Sequence, residues 1–300
     1  KAAAVGGSSF WLKSGDELPL EDMLYGLLLP SGNDAAVAIA EHIAGSIENF
    51  ASLMNYKALD IGAYNTRFKN PHGLDEEGHY STARDIAKIA QYAWSISKFR
   101  EIVQTKEKSI QRGNFVRNIY NTNRLLWSFE GANGIKTGYT GKAGRCLVAS
   151  ADKDGLQLIS VVLGARDRFD SSYKLLTYGY KNFKRRLLFN KGQVLQVLQV
   201  KNGIKDQLYV ICPQDVYLPL KDDDKIEIKR ILPHEVEAPI NKGENIGTLE
   251  IHVNQDFVYK LSLVASEDIR QKTFLDMIHK ILNQWISLNN IKALNSAFMF

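Results

Sequence analysis

The stretch Gly-Ile-Lys-Thr-Gly-Tyr-Thr-Gly at residues 134–141 places a cation, hydroxyl groups and flexible glycines in one short window. Two runs of β-forming residues follow it, 145–151 and 156–164, and an Asp-Gly pair at 154–155 separates them. Such a pair between two β-runs predicts a hairpin. The stretch therefore begins an antiparallel sheet, where it can hold a cation and a hydroxyl at the edge of a cleft while glycine lets a substrate backbone approach.

A second polar stretch, Ser31-Gly32-Asn33, interrupts two apolar segments with helical spacing. Residues 20–29 predict a helix that Pro30 ends, and residues 35–44 predict a second helix rich in small side chains. Two helices that meet at a polar tripeptide point it into a cleft. The alternative interpretation is an ordinary loop whose polar side chain caps the second helix.

Together, Ser-x-Asn and Lys-Thr-Gly are two of the three motifs found in penicillin-binding proteins and serine β-lactamases. Over nearly its whole length the chain resembles the D-alanyl-D-alanine carboxypeptidases, the low-molecular-mass penicillin-binding proteins. Further stretches match that family in order and spacing: Leu28 to Ala36, His72-Gly73-Leu74-Asp75, Ser81-Thr82-Ala83-Arg84-Asp85, Asn123-Arg124-Leu125-Leu126-Trp127 and Gly134 through Ala151. The resemblance implies an α+β fold that begins with a transpeptidase-like domain, an antiparallel sheet with helices.

The third motif, Ser-x-x-Lys, supplies the nucleophile and its base, and in the family it lies well upstream of Ser-x-Asn. Literal matches occur at residues 95–98 and 171–174, but both follow Ser31 in segments that resemble other parts of the family, so we interpret them as chance. An activated serine needs a base within hydrogen-bond reach. We therefore expect a family member that lacks its N-terminal part and is inactive alone, with exposed apolar surface and low stability.

The resemblance assigns catalytic roles to three residues. Ser31 is expected to relay a proton towards the leaving amine, and Asn33 to orient the substrate amide or the missing lysine. Lys136 supplies positive charge for the terminal carboxylate of the substrate, and the Thr137 hydroxyl can donate to the same carboxylate.

The resemblance also implies substrate-binding residues. The strand that contains Gly138 can pair with an extended peptide, and an amide near Tyr139 or Thr140 can donate to an oxyanion. Arg168 is the better candidate for a further contact to the substrate carboxylate, because a guanidinium can bind a carboxylate with two hydrogen bonds. Arg124 is suited either to that contact or to fixing its own loop.

The sequence predicts three segments. Residues 1–186 form a partial D,D-peptidase domain, and residues 187–268 form a small all-β sandwich with strands at 194–200, 207–211, 225–231 and 248–253. Residues 269–300 place their apolar side chains on one helical face, which predicts an amphipathic helix that lies on a membrane surface. The alternative for this helix is that it docks on its own domain.

Shorter elements follow from the same patterns. Residues 1–19 predict a strand and a turn, and residues 46–62 an amphipathic helix. Ser81 or Thr82 is expected to cap a helix that runs through Trp94, and residues 171–183 predict a further helix. His72 lies in a loop bounded by proline and glycine, which favours a structural role over that of a general base.

The amino-acid composition excludes some classes of binding partner and ligand. The net charge of +5 is modest and its lysines and arginines are spread along the chain, so a nucleic-acid partner is not indicated. The six histidines form no ligand pair and neither cysteine has a partner at metal-ligand spacing, so no metal and no cofactor are predicted. Cys146 and Cys212 are expected to be buried free thiols.

The resemblance implies a serine-type enzyme that removes the terminal D-alanine from peptidoglycan stem peptides through an acyl-serine, with β-lactam antibiotics as inhibitors. It also implies an extracytoplasmic location with peripheral attachment to the membrane. One alternative is a family member that binds wall peptide without turnover. The other is a serine β-lactamase, which is disfavoured because the sequence has no matching Glu-x-x-Leu-Asn segment for activating the deacylating water.

Overall fold

The computed structural model describes residues 1–112 and 115–278. It divides the chain into two compact units, residues 1–183 and 184–300. The predicted domain boundary after residue 186 falls within the first strand of the second unit.

Polar segments connect the helices of the first unit. Several begin after residues whose side chains accept hydrogen bonds from the first turn, among them Thr82, which accepts from Asp85 N as predicted, and Asp167. The α-helices are α1 (Leu20–Leu28), α2 (Asn33–Ala44), α3 (Ile47–Asp60), α4 (Ala83–Trp94), α5 (Ser97–Gln104), α6 (Leu125–Ser128) and α7 (Arg168–Asn182).

The strands of the first unit form a hairpin and a three-stranded antiparallel sheet. The hairpin pairs β1 (Glu107–Arg112) with β2 (Phe115–Tyr120), and the sheet has the order β3 (Ala132–Thr140), β4 (Gly144–Lys153), β5 (Leu156–Val162). Asp154 and Gly155 join β4 to β5 with φ of 53° and 76°, as a tight hairpin turn requires. The antiparallel sheet predicted from residues 134–164 is confirmed, and β3 lies at its edge.

Clusters of buried apolar side chains hold these helices and strands together. The first joins α1 and α2 to the β1–β2 hairpin, and the second joins α7 to one face of the sheet. Their buried side chains are Phe10, Met23, Tyr25, Leu29, Ala35, Ile39, Ile102, Ile110 and Ile119 in the first, and Leu125, Phe129, Leu147, Ala149, Ala151 and Leu176 in the second.

The strand predicted within residues 1–19 is wrong. This segment has one 3-10 turn, Ala2–Ala4, and otherwise irregular backbone, with the predicted turn at residues 14–15. The amides of Phe10 and Leu12 donate to the carboxylate of Asp34, and Arg112 donates to the carbonyl of Phe10. Side chains thus satisfy backbone groups that a strand would pair with a neighbouring strand.

The second unit consists of β-strands over residues 184–265. Its six-stranded sheet has the order β10-β12-β13-β8-β7-β11, and β6 pairs with β9. The strands are β6 (Lys184–Phe189), β7 (Val194–Lys201), β8 (Gln207–Ile211), β9 (Val216–Leu220), β10 (Ile226–Ile231), β11 (Glu235–Glu237), β12 (Asn245–Val253) and β13 (Asp256–Ala265). The four predicted strands are present, and a core of its own includes Leu208, Val210, Leu249, Ile251 and Leu263, all fully buried.

The predicted amphipathic tail lies mostly outside the described residues. Of its described part, Ile269 pairs with Ile240, and residues 274–278 are helical and carry exposed apolar side chains. Across residues 1–112 and 115–278, no helix combines the length and the apolar character needed to cross a bilayer.

Both cysteines of the described chain are free thiols. Cys212 is fully buried, as predicted, but Cys146 is only half-buried. Its partner across the β3–β4 ladder is Gly138, which has no side chain to cover it.

Candidate active site

Ser31 lies in the turn between α1 and α2. Its φ of 67° is left-handed, which is uncommon for a residue with a side chain. The next amide, Gly32 N, donates to the carbonyl of Gly26 at 3.0 Å. A Cβ on Gly32 would lie 2.7 Å from Phe10 Cβ and 2.9 Å from Asp34 Oδ1, so only glycine fits there. The tight turn leaves Ser31 half-buried between the two helices.

Asn33 is the first residue of α2 and is buried, so this helix begins earlier than predicted. Its Nδ2 donates to the carbonyl of Gly6 at 2.8 Å, and its backbone amide donates to Ser8 O at 2.8 Å. The side chain therefore anchors the irregular segment before α1. No side chain of the N-cap residue, Gly32, caps α2, so the alternative of a capping side chain there is not what the structure has.

Asp34 was not among the predicted site residues, although it directly follows the Ser31-Gly32-Asn33 motif in the sequence. Its carboxylate accepts from the Ser9 hydroxyl (2.7 Å), from Phe10 N (2.7 Å) and from Leu12 N (2.9 Å). Burial alone would raise the pKa of Asp34, but these hydrogen bonds outweigh burial and hold the pKa below its usual value. A charged Asp34 thus fixes residues 9–12 against the start of α2.

Lys136 lies on the edge strand β3, with its side chain half-buried. Its Nζ donates to Thr137 O at 3.1 Å. In the described chain no carboxylate forms an ion pair with it. Burial, and then the charge of Arg168, lower the pKa of Lys136 to about 8. A cation held without a counter-ion at a strand edge can bind an incoming carboxylate.

Residues 122 and 123 connect the two motifs, and sequence reasoning did not single them out for this. Thr122 N donates to Leu29 O at the end of α1, and the hydroxyl of Thr122 lies 2.6 Å from that of Thr137. Asn123, fully buried, donates from Nδ2 to Gly134 O at 2.7 Å. This segment therefore holds the helix that precedes Ser31 against β3.

The end of β3 is open on one side. Gly138, Tyr139 and Thr140 pair with β4, and no other described strand pairs with β3. Tyr139 is 69% exposed, and Thr140 Oγ1 accepts from Ala143 N within the turn. The free edge is compatible with the predicted pairing of an extended peptide.

Arg168, the first residue of α7, forms hydrogen bonds with backbone carbonyls of β3 and β4. Its Nη1 donates to Gly138 O at 2.7 Å and to Cys146 O at 3.3 Å, which leaves its other N–H groups for a ligand. Arg124 and Arg168 both lie near the same aromatic ring: their guanidinium carbons are 5.8 and 5.1 Å from the ring centre of Phe169. Arg168 thus contacts the end of β3, and Phe169 links it to Arg124.

The two Ser-x-x-Lys matches have other partners. Lys98 pairs with Glu21 and Glu101, and Lys174 pairs with Asp170. The Ser171 hydroxyl donates to Asp167 O, inside its own helix turn. These contacts support their interpretation as chance matches.

His72 has a structural contact. Its Nδ1 accepts from Leu74 N at 3.2 Å, and burial lowers its pKa. Nearby, Asp75 accepts from Lys142 N at 3.2 Å, so this loop fastens the β3–β4 turn. The described residues contain no cluster of side chains suited to a metal ion.

The chain resembles characterised proteins over most of its length. Residues 1–167 match the family described as D-alanyl-D-alanine carboxypeptidase, and residues 183–271 match the penicillin-binding protein 5 C-terminal domain. The chain is 34% identical to D-alanyl-D-alanine carboxypeptidase DacF of Bacillus subtilis over 291 residues, which cover 95% of this chain and 75% of DacF. It is 35% identical to DacC of Escherichia coli over 94% of this chain and 73% of DacC.

A solved structure shows the same fold. Penicillin-binding protein 5 of Haemophilus influenzae matches with a TM-score of 0.71 and 30% identity, over 88% of this chain and 78% of that protein.

Proposed function

This chain belongs to the D-alanyl-D-alanine carboxypeptidase family, and from that premise we propose that it binds the D-Ala-D-Ala end of peptidoglycan stem peptides along the open edge of β3. The observation that carries the proposal is Lys136, a half-buried cation on that edge that pairs with no carboxylate of the described residues. Beside it, Thr137 offers a hydroxyl and Arg168 offers unused N–H groups. One terminal carboxylate would satisfy all three.

In this arrangement the peptide extends as an added strand along β3. Backbone groups at Tyr139 and Thr140 would pair with it, and an amide there would donate to the oxyanion of the tetrahedral intermediate. The Ser31 hydroxyl, in the turn after α1, would pass a proton to the leaving D-alanine amine. Asn33, held by Gly6 O, would orient the reacting amide through its remaining polar groups.

The same family relationship supports hydrolysis through an acyl-serine, inhibition by β-lactams, and an extracytoplasmic site of action at the cell wall. Peripheral attachment through the C-terminal tail is part of the proposal. The exposed apolar side chains at residues 274–278 favour it.

A second candidate is a protein that binds wall peptide without turnover. It is favoured by the partners of Lys98 and Lys174, because neither lysine is positioned as a base for the serine of its motif.

The first test measures equilibrium binding of a peptide that ends in D-Ala-D-Ala and of the same peptide with a C-terminal amide. We expect the free carboxylate to bind at least about ten-fold more tightly, the value of one charge-assisted hydrogen bond. Equal binding of the two peptides would refute recognition of the terminal carboxylate at Lys136.

The second test incubates the chain with a labelled penicillin and analyses the denatured protein by mass spectrometry. A serine adduct supports the carboxypeptidase. Binding that depends on the carboxylate but gives no adduct is expected for both candidates, because residues 1–300 contain no assigned Ser-x-x-Lys motif. If a chain extended upstream to carry that motif is labelled, the carboxypeptidase is supported; if it also stays unlabelled, the non-catalytic candidate is supported.

A further inference from the structure

Four arginines line one cavity beside the end of β3. They come from different elements: Arg124 precedes α6, Arg145 lies on β4, Arg166 lies in the loop before α7, and Arg168 begins α7. Ser128, Asp167 and Phe169 complete the lining of this space, the arginine pocket, whose volume is about 820 Å³.

The arginine pocket is built by contacts that hold the guanidinium groups near one another. Arg124 and Arg168 both lie against the ring of Phe169. Arg145 Nη1 donates to the carbonyl of Arg166 at 3.2 Å. Of the four, Arg168 is half-buried, and the other three are exposed to solvent and accessible to a ligand.

The charges of the pocket are not balanced. In the part of the chain that the structure describes, none of the four guanidinium groups forms an ion pair with a carboxylate. The one acidic side chain in the lining, Asp167, accepts from Phe169 N (3.0 Å) and Asp170 N (3.1 Å) and so caps α7. Burial, and then Arg145 and Arg124, lower the pKa of Arg168. Like charges that converge without a counter-ion raise the local concentration of anions.

The arginine pocket and the proposed peptide site share one residue, Arg168. Arg168 belongs to both, because its Nη1 binds Gly138 O on β3 while its side chain lines the pocket. One terminal carboxylate can neutralise one positive charge, and Lys136 and Arg168 already offer it two. The positive charges of Arg145 and Arg166 are therefore not needed to neutralise the terminal carboxylate.

We propose that Arg145 and Arg166 form an anion subsite that binds a second carboxylate of the wall peptide, distinct from its terminal one. This inference rests on the proposed function, since it assumes that a peptide lies along β3. The planar guanidinium favours a carboxylate with two parallel hydrogen bonds, and a free phosphate would use the same donors. The two ligands are separated by experiment.

The test compares acetyl-Glu-D-Ala-D-Ala with acetyl-Gln-D-Ala-D-Ala, which differ by one carboxylate. For the unmodified chain we expect the glutamate peptide to bind about ten-fold more tightly. In the double variant Arg145→Gln with Arg166→Gln, this preference should fall to within about two-fold, while binding of the glutamine peptide stays the same. The matched control is Arg84→Gln, an exposed arginine on α4 that does not line the pocket and should keep the preference.

The outcomes separate this inference from the function on which it rests. If the glutamine peptide binds but the glutamate peptide binds no better, the subsite is refuted and recognition of the terminal carboxylate stands. A preference that survives in the double variant also refutes it. If neither peptide binds, both proposals fail. Titration with inorganic phosphate identifies the remaining case. If phosphate binds to the unmodified chain but not to the double variant, and the glutamate peptide shows no preference, the ligand of the subsite is phosphate and not a peptide carboxylate. Thermal melts of each variant verify that it is folded.

Discussion

At the scale of single residues, Lys136 shows how position sets chemistry. A lysine in water is protonated up to about pH 10.4. Here burial brings the pKa to about 8, so the charge that would bind a carboxylate is present below that pH and is lost above it. The motif predicted a cation at this position, but the shifted pKa depends on residues from other elements, Arg168 among them, that no spacing in the sequence reveals.

The affinity for the peptide should depend on pH through the charge of Lys136. Affinity for a peptide with a free terminal carboxylate should fall as pH rises through about 8 and level off at the affinity of the uncharged side chain, about ten-fold or more lower. Lys136→Arg, which stays charged, should remove this fall, and Lys136→Gln should weaken binding by about ten-fold or more below about pH 8 and leave an affinity that no longer changes with pH. Titration calorimetry between pH 6.5 and 9.5 checks it. A wild-type affinity that is constant over that range would contradict the assigned role.

The same shift affects stability with a definite sign. Between about pH 8 and the usual lysine pKa, the unfolded chain binds more protons at Lys136 than the folded chain does. Its contribution to the free energy of unfolding should therefore rise with pH across that interval. Lys136→Met should reduce the rise, as urea titrations at pH 7.5 and 10 would show; identical pH slopes for both proteins would argue against a depressed pKa.

Asp34 is the residue whose loss should be most costly to the motif region. Replacing it with alanine leaves the amides of Phe10 and Leu12 without their acceptor, and should reduce the free energy of unfolding by about 2–4 kcal/mol. Because its folded pKa is lowered, its stabilisation is present above the usual carboxyl pKa and is lost as pH falls through the folded value. Urea unfolding measures both effects. Asp60→Asn, an exposed surface change, is the control and should cost less than about 1 kcal/mol.

At the scale of elements, packing contacts decide where helices and strands begin and end. The helix spacing in residues 20–29 predicted α1 closely, because a buried apolar stripe is a local pattern. The strand expected before it did not form, since its amides bind Asp34, a partner distant in sequence. Likewise, α7 begins at Arg168 because Asp167 caps it, although the pattern placed the start at residue 171. Long-range partners are what a single sequence does not show.

Gly26 provides a prediction at this scale. In an exposed helix, glycine to alanine stabilises by about 1 kcal/mol. A Cβ on Gly26, however, would lie 2.5 Å from two ring carbons of Phe10, which is fully buried. Gly26→Ala should therefore destabilise the chain by about 1–3 kcal/mol through overpacking. Gly6→Ala, with no atom within 4 Å of the new Cβ, should be close to neutral. A more stable Gly26→Ala protein would show that the ring can move aside.

In the molecule as a whole, the two units have separate hydrophobic cores, and the strands predicted between residues 194 and 253 indicated a second domain. The alternation of apolar and polar residues indicated strands but did not show which strands pair, because pairing joins segments far apart, such as β7 with β11. The order of the six-stranded sheet was therefore outside what the pattern could predict.

Separate cores predict separate responses to mutation. Leu249 is fully buried in the second unit, and Leu249→Ala should destabilise that unit by about 2–5 kcal/mol. Peptide affinity at β3, which is in the first unit, should change by less than about two-fold. Differential scanning calorimetry and titration calorimetry on the same variant check the two parts. A loss of peptide binding at a temperature where the variant is still folded would contradict this independence.

The open edge of β3 also affects the tendency of the protein to self-associate in solution. Unpaired backbone groups on an edge strand can pair with another copy of the same edge, and a positive charge on the strand opposes this through repulsion. Lys136 carries such a charge and loses it above about pH 8. Concentrated solutions should therefore scatter more light as they are made alkaline, and a peptide bound along the edge should protect them. The edge proposed to bind the peptide would thus also be a place where copies of the empty protein can pair.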